Sequence, residues 1–482
     1  MSIKVAMIGA GSIGFTRRLV QDILTVPEFE DTEFAFTDIS RRNLDMVCQL
    51  VKRDVQANKK PAKLTVAVNR RKALEGADYV FSVVRVGGLD AFQTDIDVPL
   101  KYGVDQCVGD TLCAGGIMYA QRTIPVLLGF CKDIREVAAK GCVFMNYSNP
   151  MAMNTWACNK YGGVRTIGLC HGVQGGIHQI ADVLGVPANE LDIVCAGINH
   201  QTWFISVKHH GKEMTGKLLA RFEKHPVYSQ AEKVRIDILR RFGYYTTESN
   251  GHVSEYVPWY RKRPREIRKW IKLGRWIDGE TAGYLRVCTE ARRWFETDFP
   301  NWLKADPPAY KPENRSGEHG SHIIEAMETG RVYRGFFNVV NGGCITNLPD
   351  DCVIEAPGYI DGNGLNMPIV GDLPLACAAT CNASVQVQRM AMEAAVHGDP
   401  TLLKQAMLHD PLTAAVCNPP EVWQLADAML VAQAKWLPQY RREIPKARKR
   451  LAAEKDLGTK STKGAARLKV RSVAEMKRQR KR

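Results

Sequence analysis

The chain has 482 residues, 45% of them hydrophobic and 24% charged, and a formal net charge of +15. That length exceeds a single small core and points to two domains; the balance is that of an ordinary soluble globular protein, and no apolar run of about eighteen residues offers a membrane span. The charge is concentrated: residues 441–482 hold 17 Lys/Arg against 4 Asp/Glu, so the body is close to neutral and the basicity does not mark a specific nucleic-acid surface.

The first predicted element is a strand, Ile3-Lys4-Val5-Ala6-Met7-Ile8, with no charged-then-apolar leader ahead of it. Gly9-Ala10-Gly11-Ser12-Ile13-Gly14 follows, then a helix with Phe15, Leu19 and Ile23 on one face. A G-x-G-x-x-G turn between strand and helix is a dinucleotide signature. Gly9 permits the tight turn, Gly11 the approach of a pyrophosphate, and Gly14 close helix–strand packing; Ala10 and Ser12 lie in the same cradle, facing the free amides of the helix start. A second strand, Glu33-Phe34-Ala35-Phe36-Thr37, ends in Asp38, 24 residues after Gly14. An acid there bonds the adenosine ribose and repels a 2′-phosphate, which predicts NAD rather than NADP.

The alternation continues with a helix over 41–55, a strand over 63–68, and an apolar strand over 79–84 that runs on to Gly87-Gly88. A helix over 117–139 and a strand over 142–147 come next. Strands alternating with helices imply a parallel sheet with right-handed crossovers, and ligands collect at the carboxyl ends of such strands. There the polar punctuation sits: Asp38, Gly87, Asn149, the Cys170-His171-Gly172 triplet after an apolar run, and Asn199-His200 after another. A thiol and an imidazole suit a soft or borderline divalent metal, although Cys170 taken alone reads as a small buried hydrophobe before it reads as a ligand. The second half is less regular. Residues 211–242 and 267–299 are helix-rich, 342–357 alternates like strands, and 376–397 reads as a core helix. The cationic stretch Arg261-Lys262-Arg263-Pro264-Arg265 reads as a solvated face. Residues 441–482 read as a poorly ordered extension. Fourteen cysteines without paired spacing fit reduced thiols and a cytoplasmic location.

Several blocks together resemble glycoside hydrolase family 4, NAD- and metal-dependent glycosidases, and within it the α-galactosidase branch. They are the glycine turn, Asp110-Thr111-Leu112-Cys113-Ala114-Gly115-Gly116, Asn146-Tyr147-Ser148-Asn149-Pro150, Cys170-His171-Gly172-Val173-Gln174-Gly175, Gly197-Ile198-Asn199-His200, Thr247-Glu248-Ser249-Asn250-Gly251-His252-Val253-Ser254-Glu255-Tyr256, and Asn347-Leu348-Pro349. Four positions depart from the branch: Gly172 where Ser is usual, as in the family's α-glucuronidases, Cys113-Ala114 in place of Gly-Pro, and Tyr119 where Arg is frequent. The sugar therefore stays open between an α-galactoside and an anionic glycoside (α-glucuronide, α-galacturonide or sulfo-sugar).

The resemblance implies an α/β fold: a Rossmann-type NAD-binding domain over 1–200, a mixed, helix-rich α/β substrate domain over 201–440, and a tail over 441–482, in an architecture like that of lactate and malate dehydrogenases. It implies hydride removal from sugar C3 by NAD⁺, C2 deprotonation, elimination, water addition and re-reduction, outside the two-carboxylate scheme. It implies Cys170 and His200 as ligands of Mn²⁺, though a thiolate with an imidazole by softness alone suits Zn, Fe or Ni. It implies His171 as general acid, His252, Glu255 or Tyr256 as base, and Asn149, Asp110 and Arg315 as substrate contacts. A small-molecule glycoside is the expected partner, with no membrane, and the protein is expected to form a homodimer or homotetramer. Two other readings remain: a hydroxy-acid dehydrogenase, which would accumulate NADH, and a nucleic-acid binder driven by the tail.

Overall fold

The computed structural model describes residues 2–479 and is built on one sheet of thirteen strands. Six short strands form its parallel part: β1 (Lys4–Ile8), β2 (Glu33–Thr37), β3 (Lys63–Val66), β4 (Tyr79–Ser82), β5 (Val143–Asn146) and β6 (Thr166–Gly168). All but the edge strand β3 are buried on both faces, as continuous apolar runs in a parallel sheet must be. Their order, β6-β5-β4-β1-β2-β3, is that of dinucleotide-binding folds. The helices Ile13–Leu24, Arg41–Ala57 and Cys113–Val137 lie in the crossovers. Arg41–Ala57 turns Leu44, Val47, Leu50, Val51 and Val55 inward, and its Ser40 cap accepts a hydrogen bond from Asn43 N.

The remaining strands extend this sheet: β7 (Leu191–Ile198), β8 (Gln201–His209), β9 (Lys212–Glu213), β10 (Tyr245–Thr246), β11 (Tyr333–Val340), β12 (Val353–Asp361) and β13 (Gly364–Asn366). Beyond β6 the order continues β11-β12-β7-β8-β10, with antiparallel pairing. Two strands from late in the chain thus stand between β6 and β7. The division at residue 200 falls in the turn of the β7–β8 hairpin, and β7 bonds only to strands from the second half. Of the predicted strand stretch 342–357, only the last part is a strand, within β12; β11 just before it had no counterpart in the sequence reading.

Two expectations are corrected. The carboxyl-terminal stretch is not a loose extension: the helix Ile444–Ala453 buries Ile444 and Ala447, and Val473–Gln479 buries Met476. Its cations find carboxylates, Arg450 on Asp427 at 2.7 Å, Arg467 on Asp97 at 2.7 Å and Arg471 on the buried Glu290. Ion pairing and these apolar anchors offset the like-charge repulsion that a composition argument sees. The last three residues of the predicted tail lie outside the described residues. Arg261 is likewise not solvated. It is fully buried, donating from Nη2 to Asp105 Oδ1 at 2.6 Å and from Nη1 to Gly279 O at 2.7 Å; Arg263, Pro264 and Arg265 of that stretch face water, and Lys262 is half-buried. Among the described residues no helix is long and apolar enough to cross a membrane.

Candidate active site

The chemistry-bearing side chains meet where the parallel strands end. Cys170 follows β6, His200 occupies the β7–β8 turn, and Glu248 follows β10. The pairing of β10 with β8, Tyr245 to Phe204 and Thr246 to Trp203, carries Glu248 alongside the turn, and Thr247 N donating to Thr202 O at 2.9 Å fixes the exit. The result is a thiol, an imidazole and a carboxylate whose ligand atoms all lie within 4.8 Å of one another. The Cys170 thiol stands 3.7 Å from Glu248 Oε2, and His200 Nε2 stands 3.3 Å from the same oxygen. Gly172 N donates to the Cys170 sulfur at 3.4 Å. A Cβ on Gly172 would lie 2.3 Å from Glu248 Oε2, so the bare glycine makes room for the carboxylate.

The orientation of His200 is set from behind. Its Nδ1 shares a hydrogen bond of 2.9 Å with Thr111 Oγ1, which also donates to Asp110 Oδ1 at 3.0 Å. Asn149 Nδ2 donates to the other Asp110 oxygen at 3.1 Å, and Arg85 reaches it at 3.4 Å. This chain of outer partners leaves His200 Nε2 for the cluster. His252 and Tyr256 form the opposite wall: the His252 ring meets His200 edge to face at 5.0 Å, and the Tyr256 ring stacks on it at 6.4 Å. His252 Nδ1 is engaged by Ser249 Oγ at 2.7 Å, whereas the Tyr256 hydroxyl, beside Thr111, has no well-aligned partner among the described residues.

The electrostatics suit a cation. Burial raises the pKa of Glu248, but the imidazoles of His200, His252 and His171 outweigh it and hold that carboxyl at about 2. Burial first, then the charges of Glu248 and Glu355, push the Cys170 thiol well up. A buried thiolate beside a carboxylate is therefore costly without positive charge between them, and two anionic donors with one imidazole are a donor set that supplies the need for it. Burial lowers His252 to about 4, so its ring is neutral near pH 7. Glu355, buried under the site, is pushed up to about 8 by burial.

The glycine turn is built at the same end of the sheet. Gly9 sits at φ +88°, and an added Cβ there would lie 2.8 Å from Val83 O. Asp38 Oδ2 accepts from Gly11 N at 2.9 Å and its Oδ1 accepts from Ser40 N at 2.7 Å, so the acid is locked against the turn, with the fully exposed Ile39 beside it. Gly14 departs from expectation: it is exposed, and a Cβ there would meet nothing within 4 Å. Gly87, at φ +81°, opens the helix Gly88–Lys101 beyond β4.

Cys170, His200, Asn149, Asp110, His252 and Tyr256 are thus brought together. His171 is not in that group; it stands on the rim, 63% exposed, with Nδ1 3.9 Å from Glu318 Oε1. Arg315 is held apart by Glu325 and by Ser321 Oγ at 3.1 Å, both on the helix His319–Thr329. Glu255, weighed as a base, turns away and accepts from the amides of Cys107, Val108 and Gly109 at 2.6, 3.0 and 2.9 Å. Glu248 is the cluster member that the sequence reading passed over. Its signal was there, a carboxylate heading the block that ends in Tyr256, but the pairing of β10 with β8 is not legible from spacing.

Comparison with known proteins agrees across the chain. Residues 4–186 match the description "Family 4 glycosyl hydrolase" and residues 195–413 match "Family 4 glycosyl hydrolase C-terminal domain". An α-galactosidase of Rhizobium meliloti (strain 1021) is 60% identical over 477 residues, 99% of this chain and 97% of that protein. An α-galactosidase of Bacillus subtilis (strain 168) is 33% identical, covering 91% of this chain and all of that protein. Among solved structures, the 6-phospho-β-glucosidase of Thermotoga maritima with manganese, NAD⁺ and glucose-6-phosphate superposes with a TM-score of 0.73 at 22% identity, covering 90% of this chain and 99% of that one.

Proposed function

The chain belongs to family 4 of the glycosyl hydrolases, and from that premise we propose that it hydrolyses α-galactosides with NAD and Mn²⁺ as cofactors. The observation that carries the reading is the thiol–imidazole–carboxylate cluster of Cys170, His200 and Glu248 at the sheet edge that also carries the Gly9–Asp38 turn. The identity of 60% with an α-galactosidase supports the sugar. Cys170 and His200 would hold the cation with Glu248 as the third donor. Gly9, Gly11 and Asp38 would hold the pyrophosphate and ribose of NAD, with Ile39 as an apolar wall for the adenine. When bound, NAD supplies reversible hydride acceptance at sugar C3 and the cation supplies Lewis acidity toward the neighbouring oxygens.

The remaining work falls to side chains. Asn149 and Asp110 orient the sugar hydroxyls beside the cluster, and Thr111 fixes the His200 ring. Tyr256 moves the C2 proton: its hydroxyl is buried beside Thr111 with no well-aligned partner among the described residues, while His252 is committed to Ser249. His171, on the open rim, protonates the leaving oxygen.

The test is a panel of aryl α- and β-glycosides, neutral, uronic, sulfo- and 6-phospho-sugars, given to enzyme stripped of cofactor and then resupplied. The expected result is activity on the α-galactoside only after NAD⁺ and Mn²⁺ return, with no net NADH and with solvent deuterium at C2 of the product. Full activity without NAD⁺ and no deuterium would overturn the mechanism. A preference for a uronic or sulfo-sugar would overturn the substrate, and NADH accumulation would favour the dehydrogenase. Of the base variants, Tyr256→Phe is expected to lose more turnover than His252→Gln; the reverse order would move the role to His252.

A further inference from the structure

Under the Cys170 and His200 backbone a single row of residues crosses four strands of the sheet. Gly168 on β6 pairs with Asn338 on β11, Asn338 with Glu355 on β12, and Glu355 with Gly197 on β7. The row begins two residues before Cys170 and ends three before His200, so it spans the gap between the two ligand-bearing strands. Its middle members are polar where a sheet centre is ordinarily apolar, and both are fully buried. Both glycines are crowded: a Cβ on Gly168 would lie 2.6 Å from Thr155 Oγ1 and 2.9 Å from Asn338 Cβ, and one on Gly197 would lie 2.4 Å from Gln201 O. The bare Gly168 leaves room for Asn338 beside it, and the bare Gly197 for the backbone of Gln201.

The polar pair reaches the metal-binding cluster through one residue. Asn199 Nδ2 donates to Glu355 Oε2 at 3.4 Å, and the same side chain is within hydrogen-bonding reach of the Cys170 thiol. Thr155 Oγ1 and Asn199 Oδ1 have no well-aligned partner among the described residues, although each is buried, and the Asn338 side chain is within hydrogen-bonding reach of Glu355. Buried polar atoms are kept without packing partners only where something else is gained.

We propose that Glu355 is a positioning residue for the Cys170 ligand, holding the Asn199 carboxamide so that its N–H faces the sulfur. An N–H toward a sulfur ligand fixes its direction, as outer partners do for other metal ligands. The inference rests on the reading of Cys170 as a metal ligand.

The experiment measures Mn²⁺ affinity of the NAD⁺-bound enzyme from the signal of free Mn²⁺ in electron paramagnetic resonance, and NAD⁺ affinity separately. Glu355→Ala is expected to weaken Mn²⁺ about ten- to hundredfold, the usual range for an outer partner, while NAD⁺ affinity stays unchanged. Glu355→Gln keeps an oxygen for Asn199 and is expected to restore most of the Mn²⁺ affinity. Should the alanine variant fail to fold, Glu355→Met fills the space without the oxygen and carries the same expectation. Wild-type Mn²⁺ affinity in the alanine or methionine variant, or equal losses in methionine and glutamine variants, would overturn the proposal. Cys170→Ala separates the two readings: if it binds Mn²⁺ as the wild type does, the metal assignment itself fails.

Discussion

Two regions at the same sheet edge were built in opposite ways, and each fails differently when cut. The glycine turn with Asp38 is assembled from the first 38 residues by two adjacent parallel strands, with Gly11 N bonded to Asp38. The donor cluster takes one residue from each of three strands ends, Cys170, His200 and Glu248, and two strands from residues 333–361 must be seated before β6 and β7 come into line. The first is a local device that positions a ligand by backbone. The second concentrates opposed charges in a buried place and depends on the whole sheet. Loss at the first is expected to weaken binding, and loss at the second to stop turnover.

The largest effect tests the cluster. Cys170→Ala or His200→Ala is expected to lower kcat by about a thousandfold or more, because Lewis acidity toward developing oxygen charge is removed, with little change in melting temperature. Near-normal turnover of either variant with Mn²⁺ present would break the comparison at its centre. Glu248→Gln sharpens it: the variant keeps its shape but loses the charge, and Mn²⁺ titration is expected to show at least about tenfold weaker binding with the fold intact. Unchanged Mn²⁺ affinity would reduce the cluster to two ligands.

A smaller effect is expected at the turn. Asp38→Ala removes a charge-assisted contact worth about 1.5–3 kcal/mol at most, so NAD⁺ affinity measured by fluorescence should fall about tenfold and discrimination against NADP⁺ should relax, while kcat at saturating NAD⁺ holds. A kcat loss equal to that of Cys170→Ala would erase the distinction between the two regions.

The smallest test separates a structural carboxylate from the functional one in the same segment. Burial pushes Glu255 up to about 7, and Arg261 with three backbone amides recovers only part of that cost. Its folded value lies above the ordinary value of 4.5, so its stabilising contribution is complete below pH 4.5 and is lost as pH rises toward 7. Chemical denaturation of the wild type against Glu255→Gln at pH 4.5 and at pH 8 should therefore show the wild type losing ground by an amount on the order of 3 kcal/mol. A constant gap across that window would mean that Glu255 does not titrate there.

Much of the first region could be read in the sequence because its signals are short-range. The strand–glycine–helix order, Asp38 after the second strand, and the alternation that gives β1 to β6 all depend on neighbours within a few tens of residues. Gly14 was misjudged because the motif's spacing does not say which of its glycines faces open space, as this one does. The basic carboxyl-terminal stretch was misread because net charge says nothing of which carboxylates a folded body presents; Asp427, Asp97 and Glu290 await it. Arg261 was misread for the same reason, its partner Asp105 lying 156 residues away.

By itself the sequence determined the residue types, the dinucleotide turn and, through blocks spread along its length, the family resemblance that paired Cys170 with His200. Only the tertiary structure decided that Glu248 joins them, that Glu255 does not, that His171 stands on the rim and Arg315 apart, and that a polar row runs beneath the ligands. The physical reason is register. Strands pair through backbone groups that every residue carries, so the partners of β6, β7 and β8 leave no mark in local composition. Which side chains share a buried space is settled only when β10, β11 and β12 have docked.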